Sequence, residues 1–396
     1  MIALLWFLAA NAALLILGVS AEFGARWWLH RQGLYYVWPP GLRLYLHPDP
    51  EVFPELEPLA RIEINCDGER GDEVPASAEN LYRILAAGGS AVEGVLLDQP
   101  TSWPGALQRL LELPENLRIL RASRAHVGNI GRSGIDSLAL DLIFERVLPR
   151  YRHLNAIVIM VGGSDILQWL AKGEPSSFHP SPLPESEVFS CHPEGPFGWK
   201  PRELALLEFV KRLQWRWLRP VRIREHAGKW VGNARAMRAQ AKEVRTSVSD
   251  PAAMLDHFED HFRKLLQKAK AYADRVLVVQ QPWFEKDYTP KELAHFWHGG
   301  VGDPQREEVA IFYSYQEVCR LMALMNTRAV RVADDLGVEC LDLMPLLEPS
   351  LKTYYDFFHF APAGAAAVAT AVAAVLLRPV PYGKPRWSRG MGAPVL

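Results

Sequence analysis

Two short segments far apart in the chain carry residues that could do covalent chemistry. Ser90 follows two glycines directly after the apolar run Leu81–Ala87, a pattern that predicts a buried strand and then a tight turn. Asp356 and His359 lie three residues apart, just before a helical pattern near the end of the chain. A serine nucleophile needs a base within hydrogen-bonding distance, and the base needs an acid to orient it. The three residues are therefore candidates for the nucleophile, base and acid of acyl-transfer chemistry.

Two glycine-bearing turns lie between these segments. Residues 129–134 (Asn-Ile-Gly-Arg-Ser-Gly) follow a second apolar run, and residues 162–165 (Gly-Gly-Ser-Asp) follow a third. Either turn, taken alone, is also typical of an ordinary tight connection. Both come after strand ends, however, where open α/β sheets bind their ligands. Gly131 could present its N–H in a loop above the sheet.

In their order along the chain, these four segments resemble the motif blocks of the SGNH (GDSL-like) hydrolases, which contribute Ser, Gly, Asn and His. The resemblance implies that Ser90 is the nucleophile, with His359 as base and Asp356 as acid. It also implies an oxyanion hole made by the N–H groups of Ser90 and Gly131 and by the side chain at position 164. It covers about residues 81–377, apart from an inserted region.

The third block departs from the family pattern, because Ser164 stands where the family has Asn. The Asn amide donates to the developing oxyanion, and loss of one such donor typically costs about 10²–10³ in rate. Three alternatives follow. Ser164 still reaches the site, or the two backbone amides act alone, or catalysis is much weakened. The neighbouring Asp165 is expected to be structural.

From residue 81 onward, apolar runs alternate with helical patterns. Such alternation indicates βαβ units and a mostly parallel sheet. Together with the resemblance, it predicts a flavodoxin-like three-layer α/β/α domain over residues 81–378. A large helical insertion is expected at about 168–274, where no clear strand pattern occurs. The five strands of the sheet are predicted in the runs Leu81–Ala87, Leu117–Val127, Ala156–Val161, Val276–Val279 and Val338–Leu341.

In the N-terminal segment 1–21, residues 2–19 are apolar apart from Asn11, and this stretch is just long enough to cross a bilayer as a helix. We interpret it as a membrane anchor; a cleaved signal peptide and a buried core helix are the alternatives. Together with residues 62–71, it resembles a membrane-anchored bacterial subset of the family. Two arginines after the segment would place the main domain in the cytoplasm, whereas a cell-envelope substrate favours an extracytoplasmic domain, so the orientation stays open. Residues 22–80, rich in Pro and aromatic residues, are expected to form an extended stalk.

Part of the predicted insertion is strongly basic. Between Arg219 and Arg245 the chain carries eight Lys or Arg residues and two Glu residues. A solvated helical face would explain this composition, and so would a lid or a docking surface for an anionic polymer or lipid headgroups. The tail 379–396, which is rich in Pro, Gly and basic residues, is expected to be disordered.

Composition and motifs exclude several classes of function. The 396 residues include 44 Lys and Arg against 45 Asp and Glu, so the net charge favours no polyanionic partner. No phosphate-binding loop, Rossmann glycine fingerprint or nucleic-acid fold signature occurs. The four cysteines have no metal-ligand spacing, and His295 and His298 lack an acidic or cysteine partner nearby. We expect no cofactor, no metal and no nucleic-acid partner.

The expected function is that of a serine esterase. By the resemblance, its substrate would be a small-molecule or glycan ester, such as an O-acyl group on a cell-envelope carbohydrate or lipid. Gln281 and Trp283 follow the fourth apolar run and are predicted to contact this substrate at the rim of the cleft. Two alternatives remain: an acyltransferase with the same three residues, and a non-catalytic envelope interaction protein that retains the fold.

Overall fold

The computed structural model of the chain describes residues 2–74, 80–177, 185–193 and 203–379, so nearly all of the predicted disordered tail lies outside the described residues. The strands are β1 Arg43–Pro48, β2 Ala60–Glu63, β3 Leu81–Gly88, β4 Arg124–Asn129, β5 Leu154–Met160, β6 Val221–Ala227, β7 Glu243–Arg245, β8 Ala273–Val279, β9 Ile311–Tyr313 and β10 Glu339–Leu341. The helices are α1 Ile2–Gln32, α2 Ser90–Glu93, α3 Trp103–Leu111, α4 Pro114–Leu120, α5 Ser137–Val147, α6 Gly163–Ala171, α7 Glu185–Val188, α8 Ala205–Trp217, α9 Trp230–Ala239, α10 Ala252–Tyr272, α11 Pro290–Leu293, α12 Tyr315–Asp335 and α13 Pro362–Leu376.

Five parallel strands form the central sheet in the order β10-β8-β5-β3-β4. This order confirms the predicted flavodoxin-like α/β fold with a five-stranded parallel sheet. Four of the strands coincide with the predicted apolar runs. The fifth run, Leu117–Val127, is divided between the end of α4 and the first residues of β4.

Helices cover both faces of the central sheet. On one side α3 packs against α13, and on the other α10 packs against α5 and α12. A parallel strand covered on both faces reads as a continuous apolar run, because both of its side-chain rows are buried. Strand β5 illustrates this: six of its seven residues are buried. The continuous apolar runs are therefore the reason that these strands could be predicted from the sequence.

A second sheet, in the order β2-β1-β6, departs from the predicted organisation. The described residues of the range 22–80 include part of α1 and two antiparallel strands, where an extended stalk was expected. The region 168–274, expected to be helical, contributes β6, which pairs in parallel with β1, and also the short strand β7. Residues 221–224 alternate between apolar and basic, which is the period of two of a strand, but they were interpreted as part of a basic helical region. The partner strand of β6 lies far away in the chain. The last helix of that region, α10, belongs to the main α/β layers.

Helix α1 is the one helix of the described ranges that is long and apolar enough to cross a membrane. Its most apolar 18-residue window has a mean hydropathy of 2.4, and no residue of that window is buried. Length and composition are thus those of a membrane anchor, and a signal sequence has the same properties. The helix runs to Gln32, well beyond the predicted limit at residue 21.

Candidate active site

Ser90 lies where the strand order of the central sheet reverses. The chain leaves β3, adds β4 on one side, and then returns to add β5 on the other. In doubly wound sheets, the crevice at the carboxyl ends of such strands is the usual ligand site. The turns after β3, β4 and β5 carry Ser90, the segment 130–134 and Ser164, respectively, so the sheet brings three of the four motif segments to one edge.

The turn that presents Ser90 depends on the glycine before it. Gly88 has φ +154°, and a β-carbon there would lie 1.9 Å from the carbonyl oxygen of Met160. Gly89 then caps the short helix α2, of which Ser90 is the first residue. Within the described part of the chain, the backbone N–H of Ser90 donates no hydrogen bond. The serine therefore stands at a helix N-terminus, where an unpaired N–H favours negative charge.

Asp356 and His359 form one hydrogen-bonded unit with Ser90. His359 Nδ1 lies 2.7 Å from Asp356 Oδ2, and His359 Nε2 lies 2.7 Å from Ser90 Oγ. The Asp356 carboxylate also accepts the backbone N–H groups of Phe358 and His359, each at 2.9 Å. The imidazole stacks on the ring of Tyr355, with centroids 5.5 Å apart. The ring is therefore held in the orientation that a general base for Ser90 requires.

The electrostatics of this unit favour an ionised acid beside a basic imidazole. Burial alone would raise the pKa of Asp356, but the charge of His359 and its hydrogen bonds hold the pKa well below 3.8. Burial lowers the pKa of His359, whereas Asp356 and Glu93 raise it, and the net result is a pKa above 6.5. An ionised Asp356 stabilises the imidazolium that forms when Ser90 loses its proton.

Two further side chains, Trp297 and His298, lie next to Asp356. The sequence did not predict that either of them is near it. Trp297 Nε1 donates to Asp356 Oδ2 at 3.4 Å. The ring of His298 stacks on Trp297 at 3.9 Å and lies 5.6 Å from the ring of His359. Burial lowers the pKa of His298 to about 3, so this imidazole is neutral at physiological pH. Asp356, His298 and His359 have possible ligand atoms within 4.8 Å of one another, but the first and third are already hydrogen-bonded together.

Gly131 does not lie where an oxyanion donor is needed. Its N–H donates to Asn129 Oδ1 at 2.7 Å, and a β-carbon on it would lie 2.6 Å from the backbone nitrogen of Glu93. It therefore packs beneath α2 and does not line the cleft. Gly134, three residues later, does line the cleft. The prediction chose the first glycine of the segment, whereas the second one reaches the site.

Gly134 is positioned by a buried carboxylate. Glu93 accepts hydrogen bonds from the backbone N–H of Ser133, at 2.6 Å, and from its hydroxyl. Gly134 has φ +78°, a conformation that favours glycine, and its N–H has no acceptor among the described residues. Burial raises the pKa of Glu93, although Ser133 and Arg70 lower it. The carboxylate thus fastens the loop after β4 to the helix that carries the nucleophile.

Ser164 lies at the edge of the same cleft, in the first turn of α6. Its Oγ is 3.5 Å from the position that a β-carbon on Gly89 would take. Asp165 contacts Ser137, whose N–H and hydroxyl it accepts at 3.1 and 2.5 Å, in keeping with the structural role expected for it. Burial and the nearby charge of Asp136 raise the pKa of Asp165 to about 8.

The two residues predicted to contact substrate have different surroundings. Gln281 lines the cleft, where its side chain lies beside Gly163. Trp283 is only 5% exposed and does not line the cleft, so its predicted place at the rim is wrong. Trp230 and Trp297, which pack edge to face at 4.8 Å, line the cleft instead. Both tryptophans lie many residues after the nearest preceding predicted strand. The ends of the predicted strands therefore did not indicate that they line the cleft.

The cleft has a volume of about 560 Å³, which is large enough for a drug-sized or disaccharide-sized ligand. One part of its wall is apolar and comes from the second sheet, α9 and the loops beside them: Leu46, Phe53, Leu96, Ala227 and Val231. Another part is polar: Ser133, Ser164, Gln168, Arg224, Gln281, Asp303 and Gln305. The hydrogen-bonded Ser90 and His359 open into this space.

Comparison with known proteins found similarity in solved structures alone. No family model matches the sequence, and no curated protein matches it. The chain is similar to the acetylxylan esterase Axe2 from Geobacillus stearothermophilus, with 14% identity, a TM-score of 0.38 and coverage of 76% of this chain and 94% of the other. It is also similar to a member of the lipolytic G-D-S-L family from Veillonella parvula, with 10% identity, a TM-score of 0.39 and coverage of 75% and 99%.

Proposed function

We propose that this protein is a serine esterase of the SGNH type that works through an acyl-enzyme intermediate on Ser90. The observation that carries the proposal is the continuous hydrogen-bonded unit Ser90–His359–Asp356, with both of its connecting distances at 2.7 Å. A serine, an imidazole and a buried carboxylate in this arrangement are the parts that nucleophilic catalysis needs.

In the first step, Ser90 Oγ bonds to the carbonyl carbon of the ester while its proton moves to His359 Nε2. The carbonyl electron pair moves to the oxygen, which becomes an oxyanion. When this intermediate collapses, the bond to the alcohol oxygen breaks, and His359 gives its proton to the leaving alcohol. The acyl group stays on Ser90, and Asp356 remains ionised throughout.

In this mechanism, three groups would stabilise the oxyanion. The N–H groups of Ser90 and Gly134 have no acceptor among the described residues, and the Ser164 hydroxyl borders the same space. A preorganised donor in a site that excludes water lowers the barrier more than the same donor would in solution. Ser164 can rotate, so it contributes less than a fixed amide would.

Deacylation repeats the chemistry with water as the nucleophile. His359 removes a proton from water, the hydroxide attacks the acyl carbon, and Ser90 Oγ recovers the proton as it leaves. The size of the cleft and its Trp230–Trp297 pair suit an alcohol portion with a flat or ring-shaped apolar face, such as a sugar. We therefore assign the substrate to O-acyl esters of carbohydrates or lipids.

A fluorophosphonate probe tests the proposal directly. We expect it to label the full-length protein on Ser90 and to leave a Ser90→Ala variant unlabelled, because the probe reacts only with an activated serine. Ser350→Ala, which removes a serine outside the cleft, is the control and should stay labelled. Absence of labelling, or equal labelling of Ser90→Ala, would contradict the proposal.

An acyltransferase is the second candidate, and the volume of the cleft is the observation that favours it. At about 560 Å³ the cleft exceeds what an acyl group and a water molecule need, so a second alcohol could enter. Release of free acid and formation of transferred ester, measured side by side with added glycan, distinguish the two. A transferase would form mostly the new ester, whereas an esterase would release mostly the acid.

A further inference from the structure

Helix α8 and the start of β6 expose many large apolar side chains to solvent. Scattered apolar side chains are normal on any protein surface, but a row of them along one helix marks an interaction site. Eight large side chains of this region are 40–76% exposed: Leu204, Leu207, Val210, Leu213, Trp217, Leu218, Val221 and Ile223.

The apolar residues of α8 form one face of the helix. Leu207, Val210, Leu213 and Trp217 recur at intervals of three or four residues, which places them on one side. Ala205 and Glu208, on another side, are buried. A helix with a strong apolar face, a charged face and little net hydrophobicity is the type that lies at a lipid–water boundary.

The same helix is fastened to α1, the candidate membrane span. The Glu22 carboxylate accepts the N–H groups of Ala205 and Leu206, each at 2.9 Å, and so caps the start of α8. Leu29 is fully buried in a small cluster with Ala205, and Trp28 packs edge to face on Phe209 at 4.9 Å. The apolar face of α8 is thus continuous with the part of α1 that directly follows its apolar stretch.

Basic side chains alternate with the apolar ones along β6, so Arg222 and Arg224 lie on the face of the strand opposite to Val221 and Ile223. Both arginines are exposed, and in the described part of the chain neither forms a salt bridge. Arg222 lies over the ring of Trp215, with 5.2 Å between the guanidinium carbon and the ring centroid. Arg222 thus lies beside the last turn of α8. A cation in this place suits the headgroups of anionic lipids, which attract Lys and Arg near the bilayer surface.

We propose that the apolar face of α8, with Arg222 at its C-terminal end, docks on the anionic face of the bilayer that α1 enters. The apolar side chains of α8 reach the boundary between headgroups and acyl chains, and Arg222 pairs with lipid phosphates. Arg224 and Ala227 of β6 also line the cleft, so docking holds the cleft beside the lipid–water boundary. This property goes beyond the proposed esterase activity and does not depend on it.

Lipid quenching of a fluorescent label tests the docking. Full-length protein with Cys66→Ser, which removes the exposed cysteine, is placed in nanodiscs of equal parts phosphatidylcholine and phosphatidylglycerol. A bimane label on Leu213→Cys is compared with one on Leu346→Cys, a similarly exposed leucine in another part of the chain. We expect lipids with a nitroxide on the acyl chain to quench the first label several-fold more. Equal quenching at both positions would overturn the proposal.

Two further measurements exclude other occupants of this surface. A label at 213 that is shielded from aqueous iodide but not quenched by lipid would mean that protein covers it, which also overturns the proposal. Val210→Glu with Trp217→Glu should abolish the excess quenching, whereas Ile119→Glu with Leu293→Glu, at exposed positions in other parts of the chain, should not. Fluorophosphonate labelling of Ser90 should be unchanged in both double variants, so a failure of docking and a failure of the esterase proposal are told apart.

Discussion

The candidate site has two halves that differ in how their polar groups are satisfied. In the acid–base half, formed by Ser90 Oγ, His359 and Asp356, every proton already has an acceptor. In the oxyanion half, formed by the N–H groups of Ser90 and Gly134 and the hydroxyl of Ser164, the two N–H groups have no acceptor in the described part of the chain. The acid–base half is complete before substrate arrives, whereas the oxyanion half acquires a partner only when charge develops.

This difference indicates where each half obtains its rigidity. The acid–base half holds itself through its own hydrogen bonds. The oxyanion half depends on its support, chiefly the Glu93 carboxylate that binds Ser133 beside Gly134. We expect substitutions in the first half to remove the chemistry, and substitutions in the second half to reduce its rate.

Removing the nucleophile should have the largest effect. Ser90→Ala abolishes acyl-enzyme formation, and we expect kcat to fall by on the order of 10⁶, as in other enzymes that use a serine–histidine pair. The measurement is steady-state hydrolysis of a water-soluble nitrophenyl ester. Retention of most of the activity would show that Ser90 is not the nucleophile and that the two halves were wrongly assigned.

Asp356→Asn should have the second largest effect. The amide cannot stabilise the imidazolium and favours the wrong tautomer of His359, so we expect kcat to fall by about 10⁴ while KM changes little. Pre-steady-state labelling by a fluorophosphonate should slow in parallel. A loss below tenfold would mean that Asp356 only holds its own turn, through the N–H groups of Phe358 and His359.

Glu93→Ala tests the support of the oxyanion half. Without the carboxylate, the loop that carries Gly134 is no longer fastened to α2, and a displacement of about 1 Å can cost up to 10² in rate. We expect kcat to fall and KM to stay nearly constant. Glu93→Gln, which keeps an acceptor for Ser133, should restore most of the rate. The midpoint of thermal unfolding is measured for both variants. An unchanged midpoint shows that the lower rate does not come from a loss of the fold.

Ser164 allows a test in both directions. Ser164→Ala removes one rotating donor, so we expect a loss of roughly tenfold, less than the 10²–10³ typical of a fixed amide donor. Ser164→Asn supplies an amide and should raise the rate of a weakened enzyme. If the wild-type protein and Ser164→Asn are both inactive toward all tested esters, the non-catalytic alternative is favoured.

The pH profile should show the smallest effect, but it connects the two halves. His359 must be neutral to act as a base, so kcat/KM should rise with pH and reach half its maximum above 6.5, because the pKa of His359 is raised. Glu93 contributes to this raised pKa. Glu93→Gln should therefore move the midpoint to lower pH. A midpoint that stays in place would indicate that the Glu93 charge does not reach His359.

The acid–base half could be predicted from the sequence because its signals are local. Asp356 and His359 share one turn, and Ser90 follows a continuous apolar strand, so the order of the central strands suffices to bring them together. The position of His298 near Asp356 was not predicted, because it depends on a loop that no local pattern places there. Trp283 was misplaced because a residue after a strand can point into the core as easily as into the cleft.

The oxyanion half and the second sheet were harder to predict. Gly131 and Gly134 are equally good turn residues, and the choice between them depends on how the loop packs against α2 and Glu93. The pairing of β1 with β6 joins segments far apart in the chain, and neither strand is a continuous apolar run. The pairing of two such strands, far apart in the chain, cannot be predicted from the local sequence of either one.

Arg70 has a consequence for how far this chain can be shortened. Its buried guanidinium donates to the carbonyl oxygens of Glu93, Gly94 and Leu97, at 2.5, 3.0 and 2.6 Å, directly after the four-residue helix that begins with Ser90. A helix of one turn cannot hold itself in place. A fragment that starts at β3 would therefore lack the side chain that holds the helix of Ser90, the candidate nucleophile. We expect any fragment that keeps this helix in place to include Arg70.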